Sequence, residues 1–108
     1  MVDTLKNSKE FLEVISKGHK FKDSGFIFYF LKNNVESTKI GISIKKKTGN
    51  AVYRNRIKRQ IKNLISSNIN NLIGFNVVIV NYQERNQPIK YNKLIIIFEK
   101  FFNEVKSL

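Results

Sequence analysis

The residues best equipped for chemistry stand close together: Arg54, Asn55, Arg56, Lys58, Arg59 and Lys62, within the stretch KKKTGNAVYRNRIKRQIK at Lys45–Lys62. The chain is rich in lysine, yet three of its four arginines fall here. Arginine adds to bulk charge a planar fork that meets phosphate oxygens in pairs and stacks on bases. No acid lies between Glu36 and Glu84, a window that also holds Lys39, Lys45, Lys46 and Lys47. A merely solvated helix face mixes the two signs. This one does not. With a net charge of +12 over 108 residues, the chain repels itself when folded, which makes sense if its partner is a polyanion.

Other chemistry is poorly supplied. His19 is the only histidine and has no acid or thiol nearby that would make it a base. Glu10 and Glu13 are accounted for by a short amphipathic helix. Thr48-Gly49-Asn50 reads as a helix entrance and not a phosphate loop. No spacing suits a metal site, although a hydrated Mg²⁺ shared with RNA phosphates would leave no mark on the protein sequence. Cysteine is absent, which excludes disulfides and thiolate ligands. The longest apolar runs, FIFYFL at Phe26–Leu31 and LIIIF at Leu94–Phe98, are too short to cross a bilayer. MVDTLKNSKE lacks the apolar segment of a secretory signal. A cytoplasmic protein is the expectation.

The elements that would hold these residues follow from periodicity. The length suits one domain spanning 1–108. Asn7-Ser8-Lys9-Glu10 resembles a helix start, with Phe11, Val14 and Ile15 at helical spacing up to Lys17 and Gly18 as the stop. His19–Asp23 is a short strand or an arm. Phe26–Lys32 alternates as a strand, and Asn33-Asn34 opens a turn. Lys39–Lys45 alternates too, with the small residues Gly41 and Ser43 on one face. Asn50 caps a helix running to about Ser67, on which Tyr53, Ile57, Ile61, Leu64, Ile65 and Asn68 follow a helical stripe that faces the core, opposite the cations. Phe75–Asn81 is a strand after Gly74, and Gln83–Pro88 a loop. A last helix from about Tyr91 carries Leu94, Ile97, Phe98, Phe101 and Val105 inward. The result is an α+β domain. Tyr29 shares a face with Ile27 and Leu31, and with the two strands as neighbours that face aligns with Gly41, Ser43 and Lys45. Such a face either holds single-stranded RNA or is plain core.

GNAVYRNRIKRQIK at Gly49–Lys62, preceded by KIGISIKKK at Lys39–Lys47, resembles the signature of the bacterial ribonuclease P protein subunit, with Arg54-Asn55-Arg56 as the hallmark element. The flanking elements fall in the family's order. The resemblance implies an α-β-β-β-α-β-α two-layer sandwich, similar to domain 2 of ribosomal protein S5. It further implies a left-handed crossover around the basic helix and one sheet face open as a cleft. It implies an RNA subunit that removes the 5′ leader of precursor tRNA with Mg²⁺ held mainly by that RNA, none of it bound by the protein alone. The partners would be ribonuclease P RNA and precursor tRNA, not DNA or membrane. By position, Asn50, Arg54, Asn55, Arg56, Lys58, Arg59 and Lys62 would face the catalytic RNA. Phe11, Ile15, Tyr29, Ser43, Lys45, Lys46 and Lys47 would touch the leader, and no protein residue would be catalytic. Ile15 stands where the family often has an aromatic, and the segment before Leu5 lacks the basic residues common in relatives. Two other classes fit the basic helix: a ribosomal or other structural RNA-binding protein, and a DNA-binding regulator. The second lacks a dimerisation element, and its helix needs the apolar stripe for packing. The high charge also raises the expectation that the free chain is partly disordered until an anion binds.

Overall fold

A computed structural model of the protein describes residues 2–5, 7–84 and 89–108. The elements are β1 (Val2–Thr4), α1 (Ser8–Lys17), β2 (His19–Asp23), β3 (Phe26–Lys32), β4 (Thr38–Ile44), α2 (Ala51–Ser67), β5 (Phe75–Asn81) and α3 (Tyr91–Lys106), with 3₁₀ turns at Lys46–Thr48 and Ile69–Asn71. The expected order stands, with two corrections. A short strand, β1, precedes the first helix. It pairs parallel to β4, matching Val2 to Thr4 with Thr38 to Ile40, and no periodicity can show in so few residues. The strand expected to reach Lys45 and beyond ends at Ile44, and Lys46 and Lys47 belong to a 3₁₀ turn. Of the expected loop Gln83–Pro88, residues 85–88 lie outside the described residues.

Local chemistry sets the boundaries. At the start of α1, Asn7 Oδ1 accepts from the Glu10 N–H at 2.9 Å, and Asn7 Nδ2 donates to Glu10 Oε1 at 3.1 Å. The two residues cap each other. Gly18 closes the helix by donating its N–H to the Val14 carbonyl at 2.9 Å. Its backbone is extended and needs no glycine, but a Cβ would lie 2.5 Å from the Val14 carbonyl oxygen and 3.0 Å from that of Phe30. Close approach, not backbone freedom, selects glycine there. The β2–β3 hairpin turns through Ser24 and Gly25, both at positive φ (49° and 89°), the conformation that matches the twist of the paired strands. Asn50 caps α2, its Oδ1 accepting from the Tyr53 N–H at 2.9 Å. Asn68 ends that helix, its Nδ2 donating to the Leu64 carbonyl at 2.8 Å.

The five strands run in the order β1-β4-β5-β3-β2. β4 and β5 are parallel, whereas β3 pairs antiparallel with both β5 and β2. β3 and β4 are therefore not neighbours, because β5 lies between them. The β4–α2–β5 connection is left-handed. Ile40 faces α2, and its carbonyl accepts from Leu5 on the β1 side at 3.1 Å; Lys45 faces away, and its N–H donates to Asn81 on the β5 side at 3.0 Å. For L-residues in a strand running upward, a side chain facing the viewer sends its backbone N–H and C=O to the right. Seen from the helix layer, β5 thus lies to the left of β4, contrary to the usual right-handed crossover.

α2 and α3 cover one face of the sheet. Phe26, Phe28 and Phe30 of β3, Ile40 of β4, and Val77 and Ile79 of β5 pack there against Ile57, Ile61, Phe98 and Phe101. Phe28 stacks on Phe101 with ring centroids 4.3 Å apart and meets the edge of Phe98 at 5.1 Å. Phe102, which the inward stripe of α3 did not include, is buried with them. α1 crosses the opposite face, where Val14 packs with Leu5 and Val78. It covers only part of that face.

Candidate nucleic-acid interface

Two surfaces with different physics meet at the end of β4. The first is α2. Its buried side is Tyr53, Ile57, Ile61, Leu64 and Ile65. That anchor turns Asn55, Arg56, Lys58, Arg59 and Lys62 outward as exposed residues, with Arg54 half-buried on the flank. Lys58 and Lys62 look toward the outer edge of β4, where with Leu5, Phe11, Ile42 and Ser66 they line a cavity of about 460 Å³. Arg56 lies on the other flank, beside Lys90 and Tyr91 at the start of α3, with its guanidinium 5.9 Å from the Tyr53 ring centroid. Among the described residues the ion pairs are Lys39–Glu10 at 3.5 Å and Lys100–Asp23 at 3.8 Å. Neither involves α2 or Lys45–Lys47. The cations of this face are left for a partner to neutralise.

The second surface is the part of the sheet that α1 leaves open. The register aligns Lys22, Ile27, Val80 and Ser43 in one row, and Lys20, Tyr29, Val78 and Gly41 in the next. Phe11 lies over Gly41 so closely that a Cβ there would be 2.5 Å from its ring. Past Phe11 the floor of Ile27, Tyr29, Ser43 and Val80 is half-exposed. Lysines line the β2 side: Lys20 Nζ is 6.0 Å from the Tyr29 ring centroid, and Lys22 Nζ is 5.4 Å from that of Tyr82. Lys45, Lys46 and Lys47 stand exposed on the opposite side, at the corner leading into α2. An apolar floor with a tyrosine, walled by cations, suits an extended polyanion that carries flat bases.

The family description Ribonuclease P matches residues 2–106. The chain belongs to the ribonuclease P protein family. The ribonuclease P protein component of Mesoplasma florum is 39% identical, over 89% of this chain and 94% of the relative. That of Mycoplasma mycoides subsp. mycoides is 36% identical, over 94% of each chain. The solved structure of the Staphylococcus aureus RNase P protein superposes with a TM-score of 0.83 at 24% identity, over 95% of this chain and 94% of that one. At that identity the likeness speaks for the fold. No helix among the described residues is long and apolar enough to cross a membrane.

For a ribonuclease P protein, the residues named from the sequence fall into place unevenly. Phe11, Tyr29, Ser43 and Lys45 do share the open face, although β5 separates Tyr29 from Ser43. Ile15, 36% exposed, shares a shallow groove along α1 with Phe11 and Leu12. Lys46 and Lys47 sit at the corner and not on the strand. Asn50 has its Oδ1 occupied as a helix cap. The structure adds Lys20, Lys22, Val80 and Tyr82. Alternation in HKFKD, with a lysine at every second residue, was the available signal for the first two. Val80 and Tyr82 had no comparable signal, since only the register brings β5 between β3 and β4.

Proposed function

We propose that this protein subunit of ribonuclease P grips the catalytic RNA with α2 and guides the 5′ leader of precursor tRNA along the open sheet face. Endonucleolytic removal of the leader, which gives the mature tRNA 5′ end, is then the work of the RNA subunit with Mg²⁺ held mainly by that RNA. Asn50, Arg54, Asn55, Arg56, Lys58, Arg59 and Lys62 face the RNA subunit. Phe11, Ile15, Tyr29, Ser43 and Lys45–Lys47 face the leader, in the cytoplasm. The observation that carries this reading is the junction at Lys45–Lys47, where a cationic helix with no ion pair among the described residues adjoins a half-exposed sheet face containing Tyr29. The helix alone would suit any folded RNA. The adjoining open face adds a path for a single strand.

Reconstitution tests it. Added to ribonuclease P RNA at low Mg²⁺, the protein should stimulate leader removal. Tyr29→Ala should weaken binding of precursor tRNA roughly tenfold, the order expected for one lost stacking contact, and leave mature tRNA unaffected. No stimulation would count against the assignment to ribonuclease P RNA. An equal loss for both tRNAs would count against the leader path.

A further inference from the structure

We propose that Tyr82, with Lys22 against its ring, is a second stacking platform for the single-stranded RNA leader, displaced along the cleft from Tyr29 by about two nucleotides. The proposal rests on the leader path above and adds a site to it. Successive β5 side chains alternate between the faces. Val77, Ile79 and Asn81 are buried toward the helix layer, so Val80 and Tyr82 lie on the open side. The Tyr82 N–H donates to the Gly25 carbonyl at 3.1 Å, which extends the β3–β5 pairing beyond the last strand residue and holds the backbone there.

Tyr82 is half-buried and belongs to neither hydrophobic cluster of the described residues. Core packing therefore does not explain its ring. What the ring does have is a cation, Lys22 Nζ at 5.4 Å from its centroid, just as Tyr29 has Lys20 Nζ at 6.0 Å. The two lysines occupy alternate residues of β2, so the tyrosine–lysine arrangement repeats along one face. A ring supplies a platform for any base, and a neighbouring ammonium supplies a partner for the backbone phosphate.

The spacing matches a stretched strand. Tyr29 pairs with Val78, and Tyr82 lies four residues further along the β5 direction. At the usual rise for a strand this is about 13 Å. A stacked strand advances about 3.4 Å per nucleotide, so one stretched to roughly twice that covers the distance in about two steps. Between the two platforms lie Ile27 and Val80, half-exposed and apolar. They form a floor without a charged or bulky side chain to interrupt a base passing over it.

The test is equilibrium binding of precursor tRNAs, with leaders shortened one nucleotide at a time, to the holoenzyme reconstituted with ribonuclease P RNA. Tyr82→Ala should lose roughly tenfold in affinity for long leaders and nothing for mature tRNA. Its loss should set in at a leader length about two nucleotides different from that of Tyr29→Ala. Tyr82→Phe should bind like the parent, and Tyr82→Leu, which keeps bulk without an aromatic face, should bind like Tyr82→Ala. The proposal is overturned if Tyr82→Ala and Tyr82→Leu bind every leader normally while Tyr29→Ala does not. It is also overturned if the two tyrosine losses begin at the same length, or if mature tRNA is equally affected. If Tyr29→Ala also shows no leader dependence, the leader path itself falls.

Discussion

Phe11 depends on a single missing methyl group. Gly41 lets the ring approach β4 closely, and a Cβ at that position would be 2.5 Å from Cε2 and Cζ of Phe11. Those atoms are the free end of a side chain, so the ring can swing aside without moving the backbone. Gly41→Ala should therefore cost modest stability, about 1 kcal/mol by urea denaturation. Leader affinity should suffer more, because the displaced ring would enlarge one end of the cleft and lose its own position. A precursor-specific loss of binding, with mature tRNA unchanged, is the expected readout. At this scale the sequence was informative about residue types and silent about such proximities. Gly41 and Ser43 were recognisable as small residues on one face, but nothing in the string says that Phe11 fills the space above one of them.

The elements show the reverse balance. α2 begins and ends where its capping asparagines and apolar stripe require, since Asn50 and Asn68 act through bonds only a few residues long. α3 begins at Tyr91 for the same kind of reason: its inward stripe is a local pattern. β5 contains the one costly exception to its apolar run. Asn81 is fully buried, and neither polar atom of its amide has a hydrogen-bond partner among the described residues. An unsatisfied buried polar group costs about 1–3 kcal/mol. Asn81→Leu, close in volume and without polar atoms, should raise stability by about 1 kcal/mol and move the urea midpoint upward. RNA binding should be unchanged, because the side chain points into the helix layer.

Over the whole molecule the dominant fact is a net charge of +12 on 108 residues against the two surface ion pairs found among the described residues. Exposed pairs of that kind contribute little. Repulsion among the remaining cations opposes compaction, and an anion that binds the folded form stabilises it by mass action. Sulfate or phosphate should thus raise the melting temperature more than sodium chloride at equal ionic strength, and should increase helical circular dichroism if the free chain is partly unfolded. A spectrum already fully helical in low-salt buffer would show that the core of phenylalanines holds the fold unaided. Replacing both Arg54 and Arg56 by Ala should reduce the sulfate response, since α2 then carries two fewer cations, one from each flank.

The sequence by itself determined the α+β class, the boundaries of most elements and the basic helix, because caps, turns and periodicity act over a few residues. The Arg54–Lys62 cations were legible for the same reason: a helix turns spacing directly into a face. Only the tertiary structure decided that β5 enters between β3 and β4 and that β1 adds an edge. The left-handed crossover was implied by the family resemblance, and no local pattern in the sequence encodes it. The strand neighbours are long-range pairings, and alternation along a strand reveals its two faces without naming its neighbours. Tyr82, beyond Lys20 and Lys22 on the far wall of the cleft, was hidden on that account. What joins Lys45–Lys47 to both surfaces is likewise a matter of tertiary structure, since β4 ends at Ile44 and the chain turns there from sheet to helix.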